Sequence, residues 1–388
     1  DGLKKLEHRG YDSAGIAVAK DGKIAVSKCA GMIENLREKT HDGKDLHGDI
    51  GIGHTRWATH GAPNDINAHP HLSNDGKFAV VHNGIIENYT ALREELTATG
   101  FVFHTETDTE AVVHLIDMYY AGDFREAVLK AVARLEGSYA IGVLCADCPD
   151  KIIAVRQFSP MILGVGAGEN YFASDVTAIV SHTKNVIYMN DGELAELTPA
   201  GIHLFDCAGK EINEPVTRIV WDIQAAEKSG YEHFMLKEIM EQPRAVKATI
   251  KPRVREGHIV FENLKLDGYL KDIRKIIITA CGSASYAGSV GRIVLEELTR
   301  IPTEVEFASE LRYKNPIIDE GTLAVVISQS GETADTIAAL KECKERGAKT
   351  LAIVNVVGST IAKLADDVIY TWAGPEIAVA TTKGYTTQ

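Results

Sequence analysis

The chain has 388 residues, 45% of them hydrophobic, which is enough for two or three separate cores at roughly 100 to 200 residues per domain. Its 54 acidic and 41 basic residues give a formal net charge of −13, a field that repels polyanions and argues against broad nucleic-acid binding. The apolar runs are short and are broken by hydroxyl groups and glycines, so we predict no membrane-spanning segment.

Six cysteines are scattered along the chain, too sparsely for the disulfide framework of a small secreted protein. Cys145 and Cys148 form one CxxC pair, but a structural zinc site needs four ligands and no second pair follows at the usual spacing. A reducing cytoplasm fits this pattern best, and we expect no metal and no cofactor. Asp1 is not a methionine, and the first ten residues have the pattern of the end of a helix. We therefore expect the native chain to begin upstream.

The first part of the chain has the pattern of an α+β domain. A short helix and two strands come first, and the strands are joined by the Asp-Gly pair of residues 21 and 22. The strand GKFAVVH is predicted to end in a turn at Asn83-Gly84, before a helix. The next helix begins near Thr107, which has capping-box spacing to Glu110. A third helix and several short strands complete a layered α+β fold that we expect to end near residue 215.

The rest of the chain changes character twice. Residues 216–267 are rich in charge and poor in strand pattern, so we interpret them as a helical connector whose helix is interrupted at Pro243. From Lys275 onward an apolar strand, a turn and a helix are repeated, as in a parallel sheet with crossover helices. The predicted domains are therefore 1–215, the connector 216–267, and an α/β domain over 268–388 that we expect to be truncated at its C-terminal end.

Four polar segments of the first domain concentrate residues that could perform chemistry. They are HTRWATHG (54–61), NAHPH (67–71), VVHNGIIEN (80–88) and HTETDTE (104–110). Arg56 offers a planar fork for a carboxylate, and Asp108 at a helix start could bind an ammonium group. Asn83 and the N–H of Gly84 could donate to a tetrahedral oxyanion. Together these groups predict a site for an α-amino-acid amide.

Each of these residues also has a plainer interpretation. Asp108 could only stabilise the helix dipole, Asn-Gly is a common hairpin turn, and Arg56 could form a surface ion pair. A metallohydrolase is a further alternative, although no HExxH motif or carboxylate-rich pair accompanies the histidines. The candidate ligands for that alternative are His54, His60, His69, His71, His82 and Asp108.

In the last domain a hydroxyl-rich loop lies between an apolar strand and a helix. Its residues are Ser328-Gln329-Ser330-Gly331-Glu332-Thr333, and the free N–H groups at a helix N-terminus can bind an anion there without a lysine. Gly282-Ser283-Ala284-Ser285 occupies the corresponding place in the preceding strand–helix unit, so we expect the two loops to converge at one edge of the sheet. Ordinary helix capping is the plainer alternative for either loop alone.

Eight motifs occur in a specific order: EHRGYDSAG, HTRWATHG, NAHPH, HNGIIENY, TETDTE, HFMLKEIMEQP, SQSGETADT and VATTKGYTTQ. In this order they resemble the glutamine:fructose-6-phosphate aminotransferases (isomerizing), also called glucosamine-6-phosphate synthases, across essentially the whole chain. The resemblance implies an N-terminal-nucleophile glutaminase domain of four layers (αββα), followed by a first sugar isomerase (SIS) domain. It also implies transfer of the glutamine amide nitrogen to fructose 6-phosphate, giving glucosamine 6-phosphate and glutamate, in a cytoplasmic homodimer formed through the SIS domains.

The same resemblance implies roles for individual residues. Arg56 and Asp108 would hold the backbone groups of glutamine, and Asn83 with Gly84 would form the oxyanion hole. The further residues implied at that site are Trp57, which would gate the ammonia passage, Thr59 and His60 in the pocket, and Arg9 and Tyr11 near the nucleophile. The residues implied in sugar-phosphate binding are Gly282, Ser283, Ser285, Ser328, Gln329, Ser330, Thr333, Val379 and Ala380.

The nucleophile of this family is a cysteine at the mature N-terminus, whose thiolate attacks the glutamine amide. We expect that cysteine upstream of Asp1, and the isomerase residues in a second SIS domain beyond residue 388. The chain as given is therefore expected to bind glutamine and a phosphosugar without converting them. The family's CGTSY loop here reads CGSAS, so Ala284 replaces an expected hydroxyl. The alternative function is a non-catalytic, phosphosugar-responsive regulatory module.

Overall fold

A computed structural model of the protein describes residues 2–7, 10–58, 60–219, 230–261, 264–265 and 268–388. The predictions made for Arg9 and Thr59 fall outside these residues. The chain divides into two compact units, Asp1–Val220 and Trp221–Gln388. Within the described ranges, none of the helices combines the length and the apolar character that crossing a bilayer requires.

The first unit is built from short helices and many strands. Its helices are α1 (Gly2–Leu6), α2 (Ile33–Lys39), α3 (Tyr89–Ala98), α4 (Thr109–Tyr119) and α5 (Phe124–Val132). Its strands are β1 (Ser13–Lys20), β2 (Lys23–Ala30), β3 (Ile50–Arg56), β4 (His71–Leu72), β5 (Phe78–Ile86), β6 (Gly137–Cys145), β7 (Ile152–Gln157), β8 (Ile162–Val165), β9 (Asn170–Ala173), β10 (Asn185–Tyr188), β11 (Leu194–Thr198), β12 (Gly201–Phe205), β13 (Glu211–Ile212) and β14 (Thr217–Arg218).

A seven-stranded sheet of order β13-β12-β11-β7-β6-β5-β4 separates two cores. In β5, Phe78 and Val80 pack in the core shared with α3, α4 and α5, whereas Ala79 and Val81 pack in the core shared with β1, β8 and β10. Successive side chains of a strand point to opposite faces, so an apolar run such as FAVV buries both. The sheets β2-β1-β3 and β14-β10-β8-β9 form the second β-layer, and α2 packs on β1 and β2 through Leu36. The predicted four-layer αββα fold is confirmed.

The predicted turn at Asn83-Gly84 is wrong, because β5 runs through both residues and pairs them with Ala140 and Tyr139 of β6. Gly84 has a φ of 132°, and a Cβ at this position would lie 2.0 Å from the carbonyl oxygen of Ser138. Only glycine fits such a close approach at this backbone conformation. The long-range pairing with β6 therefore outweighs the local turn propensity of Asn-Gly.

Two other local predictions have opposite outcomes. The Asp-Gly hairpin is confirmed, since Lys20 pairs with Lys23 and residues 21 and 22 have φ values of 51° and 71°. The capping box at α4 is wrong, because no side chain caps this helix. Glu110 instead accepts hydrogen bonds of 2.7 Å each from the N–H groups of His104 and Thr105. Its carboxylate thus orders the loop before the helix rather than the first turn.

The second unit contains a parallel sheet with crossover helices, as predicted. Its elements are α6 (Phe234–Ile250), β15 (Val254–Arg255), β16 (His258–Ile259), β17 (Lys275–Ala280), α7 (Ser283–Thr299), β18 (Thr303–Phe307), α8 (Ala308–Leu311), β19 (Thr322–Ser328), α9 (Ala334–Glu345), β20 (Lys349–Val354), α10 (Thr360–Leu364), β21 (Asp367–Tyr370) and α11 (Lys383–Thr387). The sheet order is β18-β17-β19-β20-β21, and all its strand pairs are parallel. The chain leaves β17 toward one edge and β19 toward the other, which makes their carboxyl ends the switch point where ligands bind in such sheets.

The predicted interruption of a helix at Pro243 is wrong, because α6 continues through this residue to Ile250. A proline has no N–H, so the carbonyl group of Ile239 loses its helical donor. The side-chain amide of Gln242 donates to that carbonyl oxygen at 3.0 Å and replaces the missing bond. The neighbouring side chain thus satisfies the group that the proline would leave open.

Candidate functional sites

The first unit has a cavity of about 1180 Å³, and residues from all four polar segments line it. Arg56 and Trp57 reach it from the end of β3, Asn83 and Gly84 from β5, and Asp108 from the start of α4. These elements are far apart in sequence, and the pairing of β1 with β3 and of β5 with β6 sets their positions. The candidate groups for a carboxylate, an ammonium and an oxyanion therefore border a single space.

Arg56 is only 4% exposed, which rules out the interpretation as a surface ion pair. Its guanidinium donates to the main-chain carbonyl groups of His60, Gly61 and Ala62, the last two at 3.5 Å. Burial lowers the pKa of Arg56, and the negative charges of Asp108 and Asp12 oppose this shift. The side chain is thus a buried cation held in place by the loop that follows β3.

Asp108 is equally buried, and both β5 and the first residue of α4 orient its carboxylate. Oδ2 accepts a hydrogen bond of 2.9 Å from the N–H of Ile86, and Oδ1 accepts one of 3.3 Å from the Thr109 hydroxyl. The Nδ1 atom of His82 lies 3.9 Å from Oδ2. None of these partners is a cation, so the carboxylate retains the capacity to bind one.

The histidines pack against one another at the cavity, and His54, His69 and His82 belong to its lining. The rings of His54 and His69 stack at 4.4 Å, and His71 meets His69 edge-on at 4.7 Å. The N–H of His82 donates to Nδ1 of His69 at 3.3 Å. Burial lowers the pKa of His54 to about 3 and that of His69 well below its ordinary value, so the rings are neutral at pH 7. In the described ranges no three His, Cys, Asp or Glu side chains form a metal-binding group.

Two predicted residues lie near the cavity without lining it. Tyr11 meets Trp57 edge-on, with ring centroids 5.2 Å apart, and both rings are largely exposed. The His60 ring contacts Tyr89 at 5.3 Å. A residue that the sequence interpretation missed is Asp12, whose Oδ2 accepts a hydrogen bond of 2.9 Å from the N–H of Ala58 and so fixes the loop after Arg56. Asp12 follows Tyr11 in the HRGYDSAG motif, and this position could have indicated that it belongs to the site.

The second unit has a pocket of about 330 Å³ at the carboxyl ends of β17 and β19, where the switch point places it. Seven of the nine predicted residues line it: Gly282, Ser283, Ser328, Gln329, Ser330, Thr333 and Val379. Both α7, of 17 residues, and α9, of 12, begin at this pocket. The N-terminal N–H groups and dipoles of two helices favour an anion there. Its described lining includes the acidic Glu376 but no lysine or arginine.

Hydroxyl groups shape the loop between β19 and α9. Ser328 Oγ accepts a hydrogen bond of 3.0 Å from the N–H of Gly331 and lies 3.2 Å from the Thr333 hydroxyl. Gly331 has a φ of 68°, and a Cβ there would lie 2.1 Å from Ser359 Oγ. The loop therefore folds on itself, and Gln329, Ser330 and Thr333 line the pocket, whereas the Glu332 carboxylate accepts hydrogen bonds from Thr360.

Two predicted residues are not brought to this pocket. Ser285 is buried, and its hydroxyl donates to the carbonyl oxygen of Gly282 at 2.7 Å. Ala380 also lies outside the lining, although its neighbour Val379 belongs to it. The lining residues that were not assigned from the sequence are Cys281, Ala284, Ile327, Glu376, Ala378, Thr381 and Gln388. Most of them are sequence neighbours of assigned residues.

These two sites, on an αββα unit and on a parallel α/β unit, define the class of the protein. A family model described as a glutamine amidotransferase domain matches residues 14–216, and one described as an SIS domain matches residues 269–388. The chain belongs to the glutamine amidotransferase family, and its second unit is an SIS domain.

Individual relatives extend this likeness over the full chain. The glutamine–fructose-6-phosphate aminotransferase (isomerizing) of Clostridium tetani is 55% identical over 390 residues, which cover 100% of this chain and 64% of that protein. The enzyme of the same name from Caldanaerobacter subterraneus subsp. tengcongensis is 54% identical, with the same shares covered. The solved C-terminal domain of glucosamine-fructose-6-phosphate aminotransferase from Francisella tularensis is 40% identical over 42% of this chain and 45% of that one, with a TM-score of 0.40. The chain spans about 64% of the length of these two full-length relatives.

Proposed function

We propose that this chain carries the glutamine site and the sugar-phosphate site of an enzyme that moves the amide nitrogen of glutamine to fructose 6-phosphate, giving glucosamine 6-phosphate and glutamate. The observation that carries this proposal is the presence of two chemically different sites on one chain. One is a buried guanidinium and carboxylate in the same cavity, and the other is a pocket at two helix N-termini. The names of the relatives that match the whole chain support the same activity.

In the glutamine site, Arg56 binds the α-carboxylate of the substrate and Asp108 binds its α-ammonium group. Both side chains are buried, and burial strengthens an ion pair with a zwitterionic ligand relative to water. The side-chain amide of glutamine then extends toward Asn83 and Gly84, whose N–H donors stabilise the oxyanion formed when the amide is attacked. Trp57, with Tyr11 against its ring, covers the exit for ammonia.

The remaining residues proposed for this site are Thr59, His60 and Arg9. His60 contributes through its carbonyl group, which accepts a hydrogen bond from the Arg56 guanidinium. Thr59 and Arg9 adjoin described groups of the site in sequence, and their roles rest on that position and on the family.

The cysteines of this chain do not supply the nucleophile. All six lie in the described residues, and none lines the glutamine cavity. Cys145 is buried in a core, and burial raises the pKa of its thiol to about 12. We therefore expect the 388-residue chain to bind glutamine without hydrolysing it. Ammonia release at several turnovers per second by this chain would contradict that expectation.

In the second unit, the residues that bind the phosphate are Ser283, Ser328, Gln329, Ser330 and Thr333. Gly282, with a φ of 56°, forms the turn into α7. Val379 faces the sugar, and Ala380 is assigned to the sugar only as its neighbour in sequence. The N–H groups at the starts of α7 and α9 compensate the phosphate charge, so a lysine is not required. Ser285 acts through the loop, because its hydroxyl holds the carbonyl group of Gly282.

The homodimer proposed for this family forms through the SIS unit. One face of α7 carries five apolar side chains at helical spacing that are between 47% and 77% exposed: Tyr286, Val290, Ile293, Val294 and Leu298. An exposed apolar stripe of this size marks an interaction surface. We place the protein in the cytoplasm, with no nucleic-acid or membrane partner. Sedimentation of an Ile293→Asp, Leu298→Asp variant as a monomer, beside a dimeric parent, supports the assignment, and a monomeric parent contradicts it.

Titration calorimetry with glutamine tests the first site. Arg56→Lys keeps the positive charge but loses the planar fork, so we expect at least tenfold weaker binding than in the parent chain. Arg218→Lys, at an exposed position of β14 outside the cavity lining, is the matched control and should bind as the parent does. A phosphosugar-responsive regulatory module is the second candidate, because the pocket at two helix N-termini suits a phosphosugar whether or not the protein converts it. It predicts fructose 6-phosphate binding without any glutamine binding.

A further inference from the structure

A buried carboxylate on α6 holds the segment that closes one side of the sugar-phosphate pocket. Glu238 is 2% exposed, and its Oε1 accepts hydrogen bonds from the N–H groups of Ile377 at 2.6 Å and Ala378 at 3.1 Å. Ala378 and Val379 line the pocket. A side chain 139 residues earlier in the sequence therefore fixes the main chain immediately before the residues proposed to face the sugar.

Two further carboxylates fold the same segment. One turn along α6, Glu241 Oε2 accepts a hydrogen bond of 2.6 Å from Lys383 Nζ, which is 1% exposed. Glu376, itself in the pocket lining, accepts hydrogen bonds from the N–H groups of Thr382 at 2.8 Å and Gly384 at 3.1 Å. Residues 376–384 thus keep their shape through carboxylates, and α6 supplies two of them.

Burying the carboxyl group of Glu238 lowers the stability of the fold, which is unusual for a residue with a purely structural role. Burial raises the pKa of its carboxyl group, and the two N–H donors only partly oppose this. Its second oxygen, Oε2, is buried and has no hydrogen-bond partner in the described part of the chain. A buried polar atom without a partner reduces stability, and such departures are expected at functional sites.

We propose that Glu238 is a positioning residue for the sugar end of this pocket. It holds the main chain at Ile377 and Ala378 so that Val379, which lines the pocket, meets the ketose. The phosphate end is built by the loops at Ser283 and at Ser328–Thr333. In the described structure, Glu238 forms no hydrogen bond with either loop. This inference rests on the proposed function, since it takes the ligand to be a phosphorylated ketose.

Amide hydrogen exchange in the unliganded 388-residue chain tests whether Glu238 holds the main chain at residues 377–380. Glu238→Ala should accelerate exchange at residues 377–380 at least tenfold and leave residues 328–333 within twofold of the parent chain. Glu345→Ala, an exposed glutamate on α9, is the matched control and should change neither segment. Unchanged exchange at 377–380 in Glu238→Ala would overturn the positioning role.

Calorimetric titration with fructose 6-phosphate and, separately, with inorganic phosphate tests the consequence for binding. Glu238→Ala should weaken fructose 6-phosphate at least tenfold and inorganic phosphate less than twofold, and Glu238→Gln, which keeps one acceptor oxygen, should recover part of the loss. Equal losses for both ligands, or no loss, would overturn the inference. A parent chain that binds no fructose 6-phosphate contradicts the proposed function. The exchange experiment still tests, without any ligand, whether Glu238 holds the main chain at residues 377–380.

Discussion

The Oδ2 atom of Asp108 lies 2.9 Å from the main-chain nitrogen of Ile86, so the first turn of α4 is tied to the end of β5. The same strand carries Asn83 and Gly84. The carboxylate proposed to bind the ammonium group of glutamine and the donors proposed for the oxyanion therefore share one rigid support. A site that must hold both ends of a small substrate benefits from such a connection.

Asp108→Asn should weaken glutamine binding by about 10- to 100-fold, because a charge-assisted hydrogen bond contributes about 1.5 to 3 kcal/mol. The asparagine oxygen can still accept from the Ile86 N–H, so the fold should be retained. Calorimetry with glutamine measures the effect. The matched control is Asp49→Asn at an exposed position. Asp108→Asn that binds glutamine as tightly as the parent would remove this carboxylate from the site.

Gly84→Ala should destabilise the first unit by about 3 kcal/mol or more, because its Cβ would collide with the Ser138 carbonyl oxygen in a backbone conformation that alanine disfavours. Gly76→Ala is the control for backbone strain alone, since Gly76 has a φ of 74° and nothing lies within 4 Å of its Cβ position. That variant should lose only about 1 to 2 kcal/mol. Urea unfolding measures both, and equal losses would show that the close approach is unimportant.

Thr333→Val should weaken fructose 6-phosphate binding by about fivefold, because it removes one hydroxyl donor worth about 1 kcal/mol and keeps the side-chain shape. The helix should be unaffected, since the Thr333 side chain does not cap α9. Thr97→Val, whose exposed hydroxyl donates to the Arg93 carbonyl oxygen on α3, is the control. Unaltered affinity in Thr333→Val would exclude this hydroxyl from the phosphate site.

Glu110 should make the stability of the first unit pH-dependent at acidic pH. Burial alone would raise the pKa of its carboxyl group. The His114 ring, 3.6 Å away, and the hydrogen bonds from the N–H groups of His104 and Thr105 and from the Thr105 hydroxyl outweigh burial and lower the pKa from 4.5 to about 2. The ionised carboxylate therefore stabilises the fold fully above about pH 4.5, and this contribution is lost as the pH falls toward 2.

The difference in unfolding free energy between the parent and Glu110→Gln should accordingly be largest above pH 4.5 and shrink between pH 4.5 and 2. Urea unfolding at a series of pH values measures it. Glu94→Gln, at an exposed site on α3, should show no such trend. A difference for Glu110→Gln that stays constant over this range would contradict the assigned pKa.

The fold class was predictable because long, strongly patterned segments carry it. The apolar strand and helix repeats after Lys275 form the parallel sheet, and the FAVV run of β5 is apolar on both faces as a central strand must be. The errors all concern single local signals. Asn83-Gly84 lies within a strand because β6 pairs with it, and the helix passes Pro243 because Gln242 satisfies the open carbonyl group.

The candidate sites were predictable to the extent that their residues lie in motifs. Arg56, Asn83 and Asp108 line one cavity, and Ser283 and Ser330 line the other. Glu238 lies in the HFMLKEIMEQP motif, but its connection to the sugar-phosphate pocket was not predictable. Its partners Ile377 and Ala378 contribute only main-chain N–H groups, which almost any residue could supply.

The most direct test of two separate sites is a crossed titration of the parent chain, Asp108→Asn and Thr333→Val with glutamine and with fructose 6-phosphate. We expect the parent to bind both ligands, Asp108→Asn to lose affinity for glutamine alone, and Thr333→Val to lose affinity for fructose 6-phosphate alone. A parent chain that binds neither ligand, or a variant that binds both ligands equally more weakly, would contradict the assignment of two separate sites.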